Sequence, residues 1–109
     1  MRIEFVGDKA AIASRKHFNN QFNKEEMMNI AKQIISNITH VGTSDRSNGS
    51  HAPAKVIWGD YKGEEFALVI DSQDIKRKLI TIISFYDVNP TSRDVKLKRF
   101  NMKPVKGNK

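Results

Sequence analysis

Residues 22–38 constrain this chain more than any other segment. Asn23-Lys24-Glu25-Glu26 sets an N-cap side chain ahead of a carboxylate at the N3 position, and Phe22 with Met27 occupy the two staple positions around that start. Behind it Met27, Ile30, Ala31, Ile34, Ile35 and Ile38 recur at helical spacing, which predicts a helix with one apolar face. Such a face has to be buried against another layer. From Ala54 onward the period drops from about 3.6 to about 2, and that supplies the layer. Ala54-Lys55-Val56-Ile57-Trp58 and Glu64 to Ile70 read as a hairpin turning over Gly59-Asp60-Tyr61-Lys62-Gly63. Lys78 to Tyr86 reads as a further strand, with Leu79, Thr81, Ile83 and Phe85 on one side and Ile80, Ile82, Ser84 and Tyr86 on the other. Apolar residues on both sides mark it as central.

The remaining segments carry weaker signals. Arg2 to Val6 alternates, with Ile3 and Phe5 together, as a short strand or extended lead-in. Lys9 to Asn20 is Ala-rich and predicts a first helix, with Ala11, Ser14 and Phe18 on one stripe and Ile12, Arg15, Lys16 and Asn19 on another. His40 falls where the second helix would end, a place where a cation suits the macrodipole. Gly42 to Pro53, rich in Gly, Ser, Thr, Asn and Asp, reads as a long loop holding Arg46 and His51. Asn89-Pro90-Thr91-Ser92 closes the last central strand, and Val95, Leu97 and Phe100 suggest an edge strand before a polar tail. The expected fold is α+β, with two N-terminal helices packed on one face of an antiparallel sheet of about three to five strands. Residues 1–92 would form a single domain and residues 93–109 a basic C-terminal edge strand or tail.

Charge and composition narrow the chemistry. The chain has 109 residues, 19 Lys and Arg against 12 Asp and Glu, and a formal charge of +7. Seven of the basic residues and one acid, Asp94, lie in residues 93–109, so residues 1–92 hold twelve basic against eleven acidic side chains. The body is close to neutral and the basicity is local: Arg93, Lys96, Lys98 and Arg99 lead a segment suited to a polyanion or an acidic partner, or simply to water. There is no cysteine, which removes disulfides, thiolate metal sites and thiol nucleophiles. No phosphate-binding glycine loop, nucleophile elbow, HExxH or Asp-x-Asp spacing occurs, so neither a cofactor nor a metal is expected. Leu79 to Phe85, the longest apolar stretch, is about a third of a membrane span, and Met1-Arg2-Ile3-Glu4 lacks the apolar core of a signal peptide. A monomer that does not enter membranes is expected.

Histidine, arginine, lysine, threonine and tyrosine without cysteine or metal suit one reaction in particular, metal-independent cleavage of RNA. It needs a base for the 2′-hydroxyl proton, an acid for the departing 5′-oxygen, and cations or hydroxyls around the phosphate. The element order, with Ser14-Arg15-Lys16-His17-Phe18 on the first helix, Ser50-His51 before the hairpin, Gly59 to Leu68 as the hairpin and Leu79-Ile80-Thr81-Ile82 with Tyr86 last, resembles the barnase, EndoU, colicin and RelE-like ribonuclease superfamily. The resemblance covers roughly residues 10–88 and lies in topology rather than in a fixed motif. It implies an active site on the open sheet face, with His17 as a helix-borne base, Arg15 beside it as a phosphate cation, and His51 or Lys55 as the second group. Thr81 or Tyr86 would touch phosphate or base, yet the two point to opposite faces of a regular strand, so either Thr81 or the Ser84 and Tyr86 pair would serve. Arg46, Lys55, Ser84, Arg93, Lys96, Lys98 and Arg99 would bind substrate. The partners so implied are a transfer or messenger RNA and an acidic immunity or antitoxin protein, and the site of action is the cytoplasm, reached as part of a larger delivered protein. Plainer roles compete: His17 as a surface histidine, His51 and Arg46 as loop residues, Trp58 as core and Thr81 as strand filler. The rival function is a non-catalytic module that holds nucleic acid or an acidic protein; an interaction protein opposing a basic nuclease would itself be acidic, which +7 disfavours.

Overall fold

A computed structural model describes residues 2–47, 53–71 and 78–105. Along the chain the elements are β1 (Arg2–Phe5), α1 (Lys9–His17), α2 (Lys24–Ser36), β2 (Ile38–Ser47), β3 (Pro53–Tyr61), β4 (Glu64–Ile70), β5 (Leu79–Asp87), α3 (Arg93–Arg99) and β6 (Lys103–Pro104). The strands form one sheet in the order β1-β5-β4-β3-β2-β6. The fold is α+β with α1 and α2 packed on one face, as expected, but the sheet has six strands and is mixed. β1 runs parallel to β5, from Arg2 opposite Leu79 to Phe5 opposite Ile82, while the other pairs are antiparallel. Alternation along Arg2 to Val6 identifies a strand without giving its direction, and the long path from β1 to β5 permits the parallel crossover.

The capped helix forms as its sequence dictates. Glu26 N–H donates to Asn23 Oδ1 (2.8 Å), Asn23 N–H donates to Glu26 Oε1 (2.9 Å), and Met27, Ile30, Ala31 and Ile34 are buried. It stops at Ser36, so Ile38 and His40 belong to β2 rather than to the helix end. Gly59 lies beneath it within β3: a Cβ there would run into the Ile34 carbonyl oxygen and lie 2.9 Å from Ile34 Cγ2. The hairpin is correspondingly tighter than its sequence suggests. Pairing continues to Tyr61 opposite Glu64, and the turn is Lys62 and Gly63 alone, with φ of 52° and 83° as a two-residue hairpin loop requires.

α1 is shorter than expected, because Asn19 and Asn20 take φ of 53° and 60° and break the helical run. Its buried stripe is Ala10, Ala13 and Ser14 in place of Ala11, Ser14 and Phe18. The Ser14 hydroxyl donates to the Phe22 carbonyl (2.8 Å) and accepts from Phe22 N–H (3.2 Å), which fixes the path into α2. Phe18 still packs, edge-on to Phe22 with ring centroids 5.3 Å apart.

Two corrections concern the far face of the sheet. Much of the supposed Gly42 to Pro53 loop is β2, paired with β3 from Ile38 opposite Gly59 to Thr43 opposite Lys55, with irregular register at both ends. A polar strand near the sheet edge shows no apolar alternation, so composition alone reads it as loop. The segment holding Val95, Leu97 and Phe100 is helical in α3, and the edge strand falls later, at Lys103–Pro104 beside His40 and Val41. Arg93, Leu97 and Phe100 lie at helical spacing, a pattern that the 95/97 alternation obscures. Leu97, Phe100 and Met102 pack on Ala54, Val56, Trp58, Ala67, Val69 and Val88, a second apolar layer opposite the larger core under α1 and α2. The first stretch of the basic segment is therefore part of the folded body.

β5 contains a bulge. Val69 pairs with Ser84 but Ile70 pairs with Ile82, leaving Ile83 as the extra residue. Ile80, Ile82 and Phe85 face the helices while Ile83 and Tyr86 face the second layer. Thr81, between Ile80 and Ile82, thus points to the same face as Tyr86 despite its opposite parity.

Replacing Gly59 by Ala is expected to destabilise the protein by about 1–3 kcal/mol through overpacking against Ile34. Urea unfolding would show the midpoint falling with an unchanged slope, and an unaltered midpoint would contradict the close approach.

Candidate functional site

A carboxylate lies among polar groups on the second face of the sheet. Glu65, on β4, has a side chain only 19% exposed. Arg93 Nε–H donates to its Oε1 (2.9 Å), and the Thr39 hydroxyl donates to its Oε2 (2.8 Å). His40 Nδ1 lies 3.0 Å from Thr39 Oγ1 and 3.6 Å from Glu65 Oε2. Thr39 owns a single hydroxyl hydrogen, for which the Glu65 carboxylate at 2.8 Å is a closer acceptor than the Trp58 carbonyl at 3.4 Å, and with the carboxylate taking it the Nδ1 contact is one in which that nitrogen donates. Neutral His40 accordingly carries its proton on Nδ1 and keeps the Nε2 lone pair, for which no hydrogen-bond partner occurs among the described residues. The floor is Trp58, wholly buried, 5.3 Å from the His40 ring and 5.2 Å from the Arg93 guanidinium that stacks over it.

Local structure explains this convergence. Residues 38–40 carry the irregular register of β2 against β3, which places Thr39 and His40 both within reach of Glu65. His40 and Trp58 are opposite one another in the ladder, and Glu65 shares a face with Ala67 two residues along. Arg93 arrives from the first turn of α3.

The charges follow from the packing. Burial pushes the His40 imidazole below its ordinary value; the Glu65 carboxylate opposes that and the Arg93 guanidinium reinforces it. Burial alone would raise the Glu65 carboxyl, but the hydrogen bonds from Arg93 and Thr39 and the neighbouring positive charges outweigh it and hold the group low. Arg93 is pushed up chiefly by its hydrogen bond to Glu65. Around neutral pH the cluster thus comprises an unprotonated imidazole, an ionised carboxylate and a guanidinium. That set can accept a proton at Nε2 and hold an anion beside Arg93. A depression of about 420 Å3 lined by Gly63, Glu64, Glu65, Asp87, Val88, Pro90 and Arg93 opens beside Glu65 and Arg93, without His40 or Thr39 in its wall.

The residues singled out in the sequence fall into separate places. His17 ends α1 on the opposite, helical side, with Nδ1 3.3 Å from Asp87 Oδ1, and shares a shallow groove with Ser84 and Tyr86. Arg15 is exposed on α1 and does not line that groove. Thr81 and Tyr86 share a face, but with the bulge between them they stand four ladder positions apart on β5, about 13 Å, too far to hold one phosphate. Lys96 sits over the Tyr86 ring at 4.3 Å, Arg99 stacks on Phe100 at 5.3 Å, and Lys98 is exposed. Lys55 is exposed on β3 and lines a hollow of about 210 Å3 with Lys103, Thr43 and Asn101. Arg46 lies on β2 with only its backbone described, and His51 lies outside the described residues. Sequence reasoning passed over Thr39, His40 and Glu65. The signal available was the β-forming run Ile38-Thr39-His40-Val41, which the apolar stripe of α2 swallowed because Ile38 fits both periods.

Among the described residues no group of three or more His, Asp or Glu side chains could hold a metal ion, and no helix is long and apolar enough to cross a membrane. Comparison with protein-family models, curated proteins and solved structures finds no match to this chain.

Two outcomes follow. Unfolded His40 takes up its proton near its ordinary value of 6.5, whereas the folded protein does so at lower pH. Between those values the unfolded chain binds more protons, so stability falls as the pH drops below about 6.5 and levels off beneath the folded value. The Glu65 contribution, present above the ordinary carboxyl range, is lost at lower pH still, as the pH falls through its depressed folded value. Urea unfolding across pH 4–8 should show the upper step in the wild type and not in His40→Gln. Arg93→Ala should cost about 1–2 kcal/mol by leaving Glu65 half-satisfied and Trp58 uncovered, read as a lower unfolding midpoint.

Proposed function

We propose that this protein is a metal-independent endoribonuclease whose proton-transfer centre is His40, positioned through Thr39 by Glu65, with Arg93 as the phosphate-holding cation. The observation that supports this most is the Glu65–Thr39–His40 chain, which leaves Nε2 of an unprotonated imidazole without a hydrogen-bond partner among the described residues, on the sheet face away from α1 and α2. In the proposed reaction Nε2 accepts the proton of a ribose 2′-hydroxyl, the 2′-oxygen attacks the adjacent phosphorus, and the P–O5′ bond breaks. The departing 5′-oxygen is protonated from solvent, leaving a 2′,3′-cyclic phosphate and a 5′-hydroxyl. Arg93 keeps guanidinium N–H groups beyond the one bound to Glu65, and these face the charge that builds on the phosphoryl oxygens. The reading moves the base from His17, on the α1 side of the sheet, to His40, which shares Glu65 and Trp58 with the Arg93 guanidinium.

The cationic residues on and after α3 divide the labour. Arg93 and Lys96 are held against Glu65, Trp58 and Tyr86, whereas Lys98 and Lys103 are exposed and free to follow a sugar–phosphate backbone. The rival reading, a non-catalytic nucleic-acid or acidic-protein binder, uses the same cations without His40. Deleting residues 93–109 does not separate the two, because it strips the cover from Trp58 and Val56 along with the charge.

Purified protein incubated with total RNA in EDTA should yield discrete fragments ending in cyclic phosphate. His40→Gln should lower the rate by at least about 100-fold with an unchanged circular dichroism spectrum, while His17→Ala should retain most of it. The kcat/KM profile should rise with pH through a value below 6.5 and then level off. Intact RNA would transfer the assignment to the binding module, and full activity in His40→Gln would remove His40 from the chemistry.

A further inference from the structure

β5 is longer than the strand that covers it. β1 pairs with β5 only from Leu79 to Ile82, and the last contact is Val6 N–H to the Ile82 carbonyl (3.0 Å). β5 continues to Asp87, and among the described residues no strand lies beside that remainder on the β1 side. Val88 N–H donates to the Glu65 carbonyl (2.9 Å), which fixes the alternation: Val88, Tyr86 and Ser84 bond towards β4. The main-chain N–H and C=O groups of Phe85 and Asp87 therefore point to the open edge.

That edge forms one wall of a groove of about 230 Å3, and α1 forms the other. Its floor is apolar, from Ile12, Ala13 and Phe85, and the exposed ammonium groups of Lys9 and Lys16 stand along the α1 rim. His17 closes the end of the groove with Nδ1 3.3 Å from Asp87 Oδ1, and the described residues that line the groove include Lys9 and Lys16 but no Asp or Glu. An unpaired strand edge with alternate side-chain pockets takes an extended peptide by adding a strand, and a cationic rim selects an acidic one.

We propose that the groove between α1 and the open edge of β5 binds an extended, acidic segment of a protein partner, which adds to the sheet at Phe85 and Asp87 in line with β1. Lys9 and Lys16 meet its carboxylates, and the alternate apolar side chains lie on Ile12 and Phe85. This site is on the opposite side of the sheet from His40 and does not depend on whether the chain cleaves RNA.

Selection of displayed random peptides of about ten residues against the full-length protein, with the Lys9→Glu/Lys16→Glu double variant as the counter-target, tests this directly. The peptides enriched on the wild type should be acidic, alternating and free of proline. In hydrogen-exchange NMR one such peptide should slow the Phe85 and Asp87 amides by about tenfold or more, and a version with the same charge and prolines at alternate positions should not bind. Failure to enrich peptides over the counter-target would overturn the proposal. So would protection confined to other amides, full binding by the proline version, or displacement of the peptide by a single-stranded RNA, which would assign the groove to nucleic acid.

Discussion

The Glu65 carboxylate is the interaction on which the rest of this structure depends. It is mostly withdrawn from water, and a carboxylate in that position is tolerated only if its oxygens are bonded. Arg93 takes one oxygen and Thr39 the other. The Arg93 bond ties the start of α3 to the middle of the sheet and lays the guanidinium over Trp58, so the second apolar layer is sealed by a cation rather than by another hydrophobic side chain. The Thr39 bond orients the hydroxyl that in turn sets the His40 tautomer. One buried charge thus couples the cover of the second face to the protonation of the imidazole beside it.

This arrangement changes what the net charge of +7 means. The basic segment reads in the sequence as an appendage that attracts a polyanion. In the fold its first turns are structural: Arg93 holds Glu65, Lys96 sits on Tyr86, Leu97 and Met102 fill the second layer, and Gly42 lets Met102 lie against β2 without a Cβ in the way. Attraction is left to the outward residues such as Lys98 and Lys103. In the proposed function a helix that is basic outside and apolar inside would hold a polyanion with less loss of conformational freedom than an unanchored tail.

Legibility followed the strength of the local physics. The capped α2, the β3–β4 hairpin and the two-sided burial of β5 were readable because capping, turn chemistry and periodicity agree there. β2 was not, because a polar strand near an edge is stabilised by main-chain pairing, which leaves no mark in the side chains. α3 was misread because Val95 and Leu97 alternate over a stretch too short to distinguish two periods. The parity conflict between Thr81 and Tyr86 could not be resolved from sequence, since a bulge at Ile83 depends on the register with β4. The candidate site suffered most. Its members come from β2, β4 and α3, far apart in the chain, and only the completed sheet brings Thr39, His40, Glu65 and Arg93 together.

The most direct test of the account is the long-range 1H–15N NMR spectrum of the histidine rings, followed as a function of pH. The hydrogen-bond chain predicts His40 as the Nδ1–H tautomer near neutral pH, protonating at Nε2 below 6.5, and Glu65→Gln should lower that midpoint further. An Nε2–H tautomer would contradict the chain of hydrogen bonds from Glu65 through Thr39, and a His40 midpoint at or above 6.5 would contradict burial as the dominant influence on the imidazole.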